Sequence, residues 1–296
     1  MNKKDRATLC LLVATLIWGS TFVAQSVAMD HMGPFTFQAL RCALAVAFLL
    51  PVIHLFDRGR RDGKTYWPRW RDARLWRAGI LCGVPLFLAS ALQQMGIVDT
   101  DAGKSAFLTS MYIVIVPVIG IFRKERPPKA LPLCLILAVA GLYCLTGTDI
   151  SGVQRGDLLL IGCALVFAVQ ITCVDLFAGT VDPLRLNTIQ CLVCALLSAL
   201  VMVFTEQPQW PAIVQSWGSL AYAGVLSMGV AYSLQILGQR GVSPSVATLI
   251  MSLESVVAVL CGSVLLQEQL TKWELLGCCL VFAAVLLAQL PEKKRA

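Results

Sequence analysis

The chain has 296 residues, 57% of them hydrophobic and only 14% charged, with a mean hydropathy of +0.75 and a formal net charge of +7. A soluble domain carries roughly a quarter charged residues, so most of this surface must face lipid; about ten spans of ~20 residues would fill the length, leaving no room for a substantial extramembrane domain. The positive charge lies in the gaps between alternate apolar runs rather than on one face, which argues against nucleic-acid binding and for membrane topology.

In chain order, Lys3, Lys4 and Arg6 precede a first apolar run at 8–28. Its basic start and Ser26-Val27-Ala28 have the look of a signal peptide. At about twenty residues it exceeds an h-region of roughly 7–15, so it reads as an uncleaved span. Further runs follow at 34–55, 77–97, 101–122, 129–147, 156–178, 182–205, 214–238, 243–266 and 272–290. All read as α-helices, being too long and too continuously apolar for alternating barrel strands. Pro34, Pro183 and Pro244 fall in first turns, where a missing N–H costs nothing.

Twenty Lys and Arg fall on one side of this series and three (Lys104, Arg155 and Lys272) on the other, with Arg41 inside a span. Both termini of a multi-pass membrane protein are therefore expected in the cytoplasm. The long basic gap at 56–76, with Trp67, Trp70 and Trp76, reads as an interfacial anchor. Positive-inside charge also explains Lys293-Lys294-Arg295 more simply than a retrieval signal does. The twelve cysteines lie inside or at the edges of apolar runs, so small packing residues are expected rather than disulfides or metal ligands, Cys191-x-x-Cys194 included.

The two halves repeat. Leu92-Gln93-Gln94-Met95-Gly96 returns as Leu234-Gln235-Ile236-Leu237-Gly238, and Ala106-Phe107-Leu108 as Ala247-Thr248-Leu249. Pro34 aligns with Pro183, which sets Arg41 opposite Gln190; Glu125 faces Glu268 after a two-residue shift. The expected fold is all-α, ten transmembrane helices in two five-helix repeats at 8–147 and 156–290. An odd number of spans per unit inverts the second copy, an architecture of secondary transporters with a shared site near the midplane.

Several segments resemble EamA-type transporters of the drug/metabolite transporter superfamily. Leu16-Ile17-Trp18-Gly19-Ser20-Thr21-Phe22-Val23 is similar to that family's first-helix signature and Ala39-Leu40-Arg41-Cys42-Ala43-Leu44-Ala45 to its second-helix arginine segment. Gln93 to Ile97 with Ala102 to Thr109 resembles the third-to-fourth helix junction, and Leu253-Glu254 through Thr271 the ninth-helix pattern. The resemblance implies a ten-helix carrier of the plasma (bacterial inner) membrane, often a metabolite exporter. Where the family commonly has Glu-Pro, this chain has Glu254-Ser255, so no proline kink is expected there.

Charge at bilayer depth costs ~2.5–3.5 kcal/mol, so each instance needs a partner or a purpose. Arg41 either binds an anionic group of a solute or braces helices; Glu254 either binds a cation or carries a proton for coupling, or is held structurally. Trp18 and Gln25 share a face of the first helix, Gln93 and Gln94 lie in the third, and Ser105, Thr109 and Tyr112 form a stripe on the fourth, as Tyr232, Gln235 and Gln239 do on the eighth. Such stripes line a wet cavity or join helices by hydrogen bonds. The expected substrate-binding set is Trp18, Gln25, Arg41, Gln94, Thr109, Tyr112 and Glu254. An aromatic beside amides suits an organic solute better than a bare ion.

His31 and His54 have no metal partner at useful spacing, and no Walker, Gly-x-Ser-x-Gly or His-Glu-x-x-His motif occurs. No enzyme, cofactor, metal or direct ATP drive is expected. The expected function is secondary transport of a small organic solute, an amino acid or related metabolite, outward and by alternating access. The alternative is a lipid-linked or amphiphile flippase on the same scaffold; a non-transporting membrane interaction protein would not need the polar stripes. The expected partners are a small-molecule substrate and the lipid bilayer, with a homodimer left open and nucleic acid excluded.

Overall fold

The computed structural model describes residues 2–58, 69–100, 102–124, 129–145, 154–265 and 271–289, and every regular element among them is helical. The main helices are α1 (Lys3–Met29), α2 (Pro34–Arg58), α3 (Ala73–Val98), α4 (Ala102–Phe122), α5 (Leu131–Leu145), α6 (Arg155–Ala178), α7 (Pro183–Thr205), α8 (Trp217–Gln239), α9 (Pro244–Leu265) and α10 (Lys272–Gln289). Eight of these, α1–α4 and α6–α9, are long and apolar enough to cross a bilayer. Residues 59–68 of the basic gap, together with Glu125, Glu268 and Lys293-Lys294-Arg295, lie outside the described residues.

Helix starts obey local chemistry more than hydropathy. α1 begins at Lys3, five residues before the apolar run, because Asn2 and Asp5 cap it reciprocally at 2.8 and 3.3 Å. The apolar run marks the hydrocarbon core, whereas the helix continues into polar surroundings. Pro183 and Pro244 open α7 and α9, with Asp182 accepting from the Arg185 N–H at 3.2 Å. The expected run at 214–238 is divided: a short helix at Trp210–Gln215 closes at Ser216, and α8 starts at Trp217.

α4 and α9 are each interrupted, at Met111 and Ser252. In α4, Met111 and Val114 donate to carbonyls three residues back, a tightened turn, and Pro117 has no N–H to give to Ile113. At the break in α9 no proline is present, and the helix is interrupted all the same. Serines supply the distortion instead. Ser252 Oγ donates to Leu249 O at 2.8 Å and Ser255 Oγ to Ser252 O at 2.6 Å, so hydroxyls compete with the backbone ladder. α8 carries a π-helical stretch, Tyr222–Ala231.

Packing joins the two halves throughout. α2 lies along α7, α5 along α10 and α4 along α9; α3 packs on α6 and α7, and α1 on α8 and α9. Small residues permit the closest approaches: a Cβ on Gly224 of α8 would lie 2.7 Å from Leu44 Cβ and 2.8 Å from Arg41 O of α2. Each of the paired helices α2 and α7 ends in a carboxylate that holds the start of the other. Glu206, just past α7, accepts from the N–H groups of Phe35 and Thr36 at 2.9 and 2.8 Å and from Thr36 Oγ1 at 2.6 Å. Asp57, near the end of α2, pairs with Arg185 in the first turn of α7 and with Arg69 at 3.0 Å.

Replacing Glu206 by Ala removes a carboxylate from a helix N-terminus and three hydrogen bonds with it. Thermal unfolding in detergent is expected to show a loss of about 1–2 kcal/mol; an unchanged melting temperature would show that the clasp contributes nothing to stability.

Candidate functional site

A cavity of about 40 Å³ lies among α1, α2, α3, α4, α6, α8 and α9. Six of the seven expected residues line it: Trp18, Gln25, Arg41, Thr109, Tyr112 and Glu254. Gln94 does not. It is fully buried behind Gln25, to whose Oε1 its Nε2 donates at 2.6 Å, and its neighbour Gln93 lines the cavity instead.

Arg41 is 2% exposed. Its Nη1 donates to Gln25 Oε1, its guanidinium carbon lies 5.2 Å from the centroid of the Phe37 ring, and its Nε has no partner. No carboxylate among the described residues pairs with it. Gln25 Oε1 thus receives both Arg41 and Gln94, which turns its own NH₂ away from them as a further donor. Trp18 packs edge-on against Tyr232, ring centroids 4.9 Å apart, and its Nε1 is buried without an acceptor. This part of the wall is rich in donors.

Glu254 is 4% exposed and lies just past the break in α9. Its Oε1 accepts from Tyr112 OH at 2.8 Å and Ser110 Oγ at 3.2 Å, residues that flank the break in α4. Ser110 and Ser255 hydroxyls meet at 3.3 Å, so the two interrupted helices touch where their ladders are weakest. Gly19 lets α1 approach this point, since a Cβ there would lie 2.6 Å from Glu254 O. Glu254 has no cationic partner among the described residues. The cavity wall therefore holds a cation and a carboxylate that neutral groups bind separately.

Sequence reasoning left out several lining residues, among them Thr21, Gln170, Ser227 and Met251. Tyr232 and Gln235 stood out as a stripe, and both line the cavity, whereas Gln239 donates to Ile171 O at 3.2 Å and Ser105 to Thr100 O at 3.2 Å, outside it. Gln170 could have been found: the register that pairs Trp18 with Phe167 sets it opposite Thr21, and both line the cavity. Among the described residues no cluster of His, Cys, Asp or Glu could hold a metal ion.

Gln25→Leu leaves two buried donors, on Arg41 and Gln94, without their acceptor and should cost about 1–3 kcal/mol for each. Gln25→Glu keeps the acceptor and gives Arg41 a counter-charge, so it should preserve the melting temperature. Equal melting temperatures for the two variants would refute the account of Gln25 as the shared acceptor.

The EamA-like transporter family model matches residues 5–147 and again 154–290. An uncharacterized transporter of Archaeoglobus fulgidus is 31% identical over 97% of this chain and 87% of its own length. The uncharacterized transporter YwfM of Bacillus subtilis is 24% identical over 97% of this chain and 95% of its own. A solved crystal structure, 21% identical, shares the fold with a TM-score of 0.77 over 97% of both chains. Multiple apolar helices and transporter relatives together make this an integral multi-pass membrane protein that meets a lipid bilayer and a small solute. The chain belongs to the EamA-like transporter family, and is a transporter rather than an enzyme.

Proposed function

We propose that the chain is a ten-helix secondary transporter that exports a small organic solute, an amino acid or related metabolite, by alternating access of two inverted five-helix units, 8–147 and 156–290. It would lie in the plasma (bacterial inner) membrane with both termini in the cytoplasm. The observation that carries this reading is the pair Arg41 and Glu254, which line one cavity with neither an opposite charge nor each other as a bonded partner. Each charge costs ~2.5–3.5 kcal/mol at bilayer depth. A solute with an anionic and a cationic end would compensate both.

Four features support the inverted units. The family model matches twice. The register that puts Ala106 opposite Ala247 puts the break at Met111 opposite the break at Ser252. The register of Pro34 and Pro183 puts Thr36 opposite Arg185 and Asp57 opposite Glu206, so the two clasps are counterparts. Exchanging the halves also turns the α3–α6 packing into α8–α1 and the α3–α7 packing into α8–α2, each of which is present.

Alternating access is supported by size, because about 40 Å³ holds a few waters at most, so a metabolite fits only when the helices part. Outward direction rests on the family resemblance of the sequence. Glu254 is the candidate coupling group, since its hydroxyl partners can accommodate either protonation state. The flippase alternative has less support. The lateral apolar recess between α4 and α5, at Val114, Leu135, Ile136, Val139, Ala140 and Tyr143, shares no lining residue with the central cavity.

Uptake of labelled amino acids into proteoliposomes, with and without a pH gradient, tests the proposal. Gradient-stimulated flux is expected in the native protein, and Glu254→Gln should abolish the stimulation. Unchanged flux and unchanged pH dependence in Glu254→Gln would remove Glu254 from the mechanism. Absence of flux for every amino acid would overturn the substrate assignment.

A further inference from the structure

Asn187 of α7 faces the π-helical stretch of α8. There the Tyr232 N–H reaches back five residues to Ser227 O, so the Met228 carbonyl, four residues back, lacks its α-helical donor. Asn187 Nδ2 donates to Met228 O at 2.9 Å, Gly229 O at 3.0 Å and Ser233 Oγ at 2.9 Å. Backbone carbonyls only accept, which fixes the orientation of this amide. Asn187 Oδ1 must then be the acceptor for the next group, and Gln190 Nε2 donates to it at 2.8 Å. Gln190 Oε1 in turn accepts from Gln170 Nε2 at 3.3 Å. Three amides are thus aligned in one sense by two main-chain oxygens. All three residues are fully buried.

The relay ends on Gln170 Oε1, which is buried, has no partner and belongs to a residue that lines the cavity. Its amide cannot turn over without placing two oxygens or two NH₂ groups against each other along the chain. We propose that Gln170 is a specificity-determining acceptor, held in one orientation by Gln190 and Asn187, that selects solutes presenting an N–H or O–H donor and rejects those presenting an oxygen acceptor there. Asn187 and Gln190 are positioning residues: they act through Gln170. This deepens the reading of the cavity as the solute site and rests on it.

The test rests on the 2-hydroxy and 2-oxo acids, which carry the same charge and differ at the donor, with the amino acid of the same side chain as reference. Labelled L-alanine, L-leucine and L-phenylalanine are offered to proteoliposomes beside the 2-hydroxy acid and the 2-oxo acid of the same side chain. The native protein should favour the hydroxy acid over the oxo acid by about tenfold or more, since a site built to bond a donor strongly rejects an analogue lacking it. Gln170→Met should remove most of that preference, and Asn187→Leu should lower the same ratio without touching the cavity wall. A ratio left unchanged in both Gln170→Met and Asn187→Leu, or equal flux of oxo and hydroxy acids in the native protein, overturns the inference while the cavity reading stands. Flux of none of the nine compounds overturns both.

Discussion

A bilayer core offers no water to a buried polar group, so every such group must be satisfied inside the protein or by what the protein binds. That constraint organises this molecule. The lipid-facing surfaces are Leu, Val, Ile and Phe, whereas Arg41, Gln25, Gln94, Gln170, Gln190, Asn187 and Glu254 are all turned inward and all but lost to solvent. Most of them satisfy one another. Of the groups left over, Arg41 Nε, Trp18 Nε1 and the oxygens of Gln170 and Gln235 belong to residues of one cavity, whereas others, among them Gln38 Oε1, Gln94 Oε1 and Gln239 Oε1, lie outside it. Unpaired polarity of this kind is costly in an empty site, and in the proposed function a bound solute offsets that cost.

The helices that frame the cavity are irregular where they border it. α4 and α9 break beside Glu254, and α8 is π-helical where it meets α7. Each irregularity releases backbone or hydroxyl groups that are then bonded by side chains from another helix: Ser110 and Tyr112 at Glu254, Asn187 at Met228 and Gly229. Irregular backbone at membrane depth is tolerated where it lines a cavity or is buried in protein, and both conditions hold here. By contrast α2 and α7 are continuous and clasped at both ends through Glu206 and Asp57. This contrast suits a fixed central pair with more compliant helices around it.

Much of this was legible in the sequence. Hydropathy located the main helices, first-turn prolines located three starts, and most of the residues chosen for being polar or aromatic within apolar runs share one cavity, Gln94, Ser105 and Gln239 excepted. What escaped has a common physical cause. Hydropathy reports which side chains avoid water and is blind to how a backbone ladder is bonded, so the breaks at Met111 and Ser252 and the π-helical turn left no mark in it. Adjacent glutamines, Gln93 and Gln94, point to different faces of α3, and only packing decides which reaches the cavity. Gln170 was passed over because its amide partners, Gln190 and beyond it Asn187, lie on another helix.

Inversion of the two units is the claim on which the shared cavity and its alternating exposure depend. The register that pairs Pro34 with Pro183 also pairs Asp30, in the link after α1, with Gly179, in the link after α6. Single cysteines placed at these two positions, with the native chain as control, can be probed in intact cells by a membrane-impermeant maleimide. The account predicts labelling at Asp30→Cys and none at Gly179→Cys until the membrane is opened. Labelling of both from the same side would contradict it.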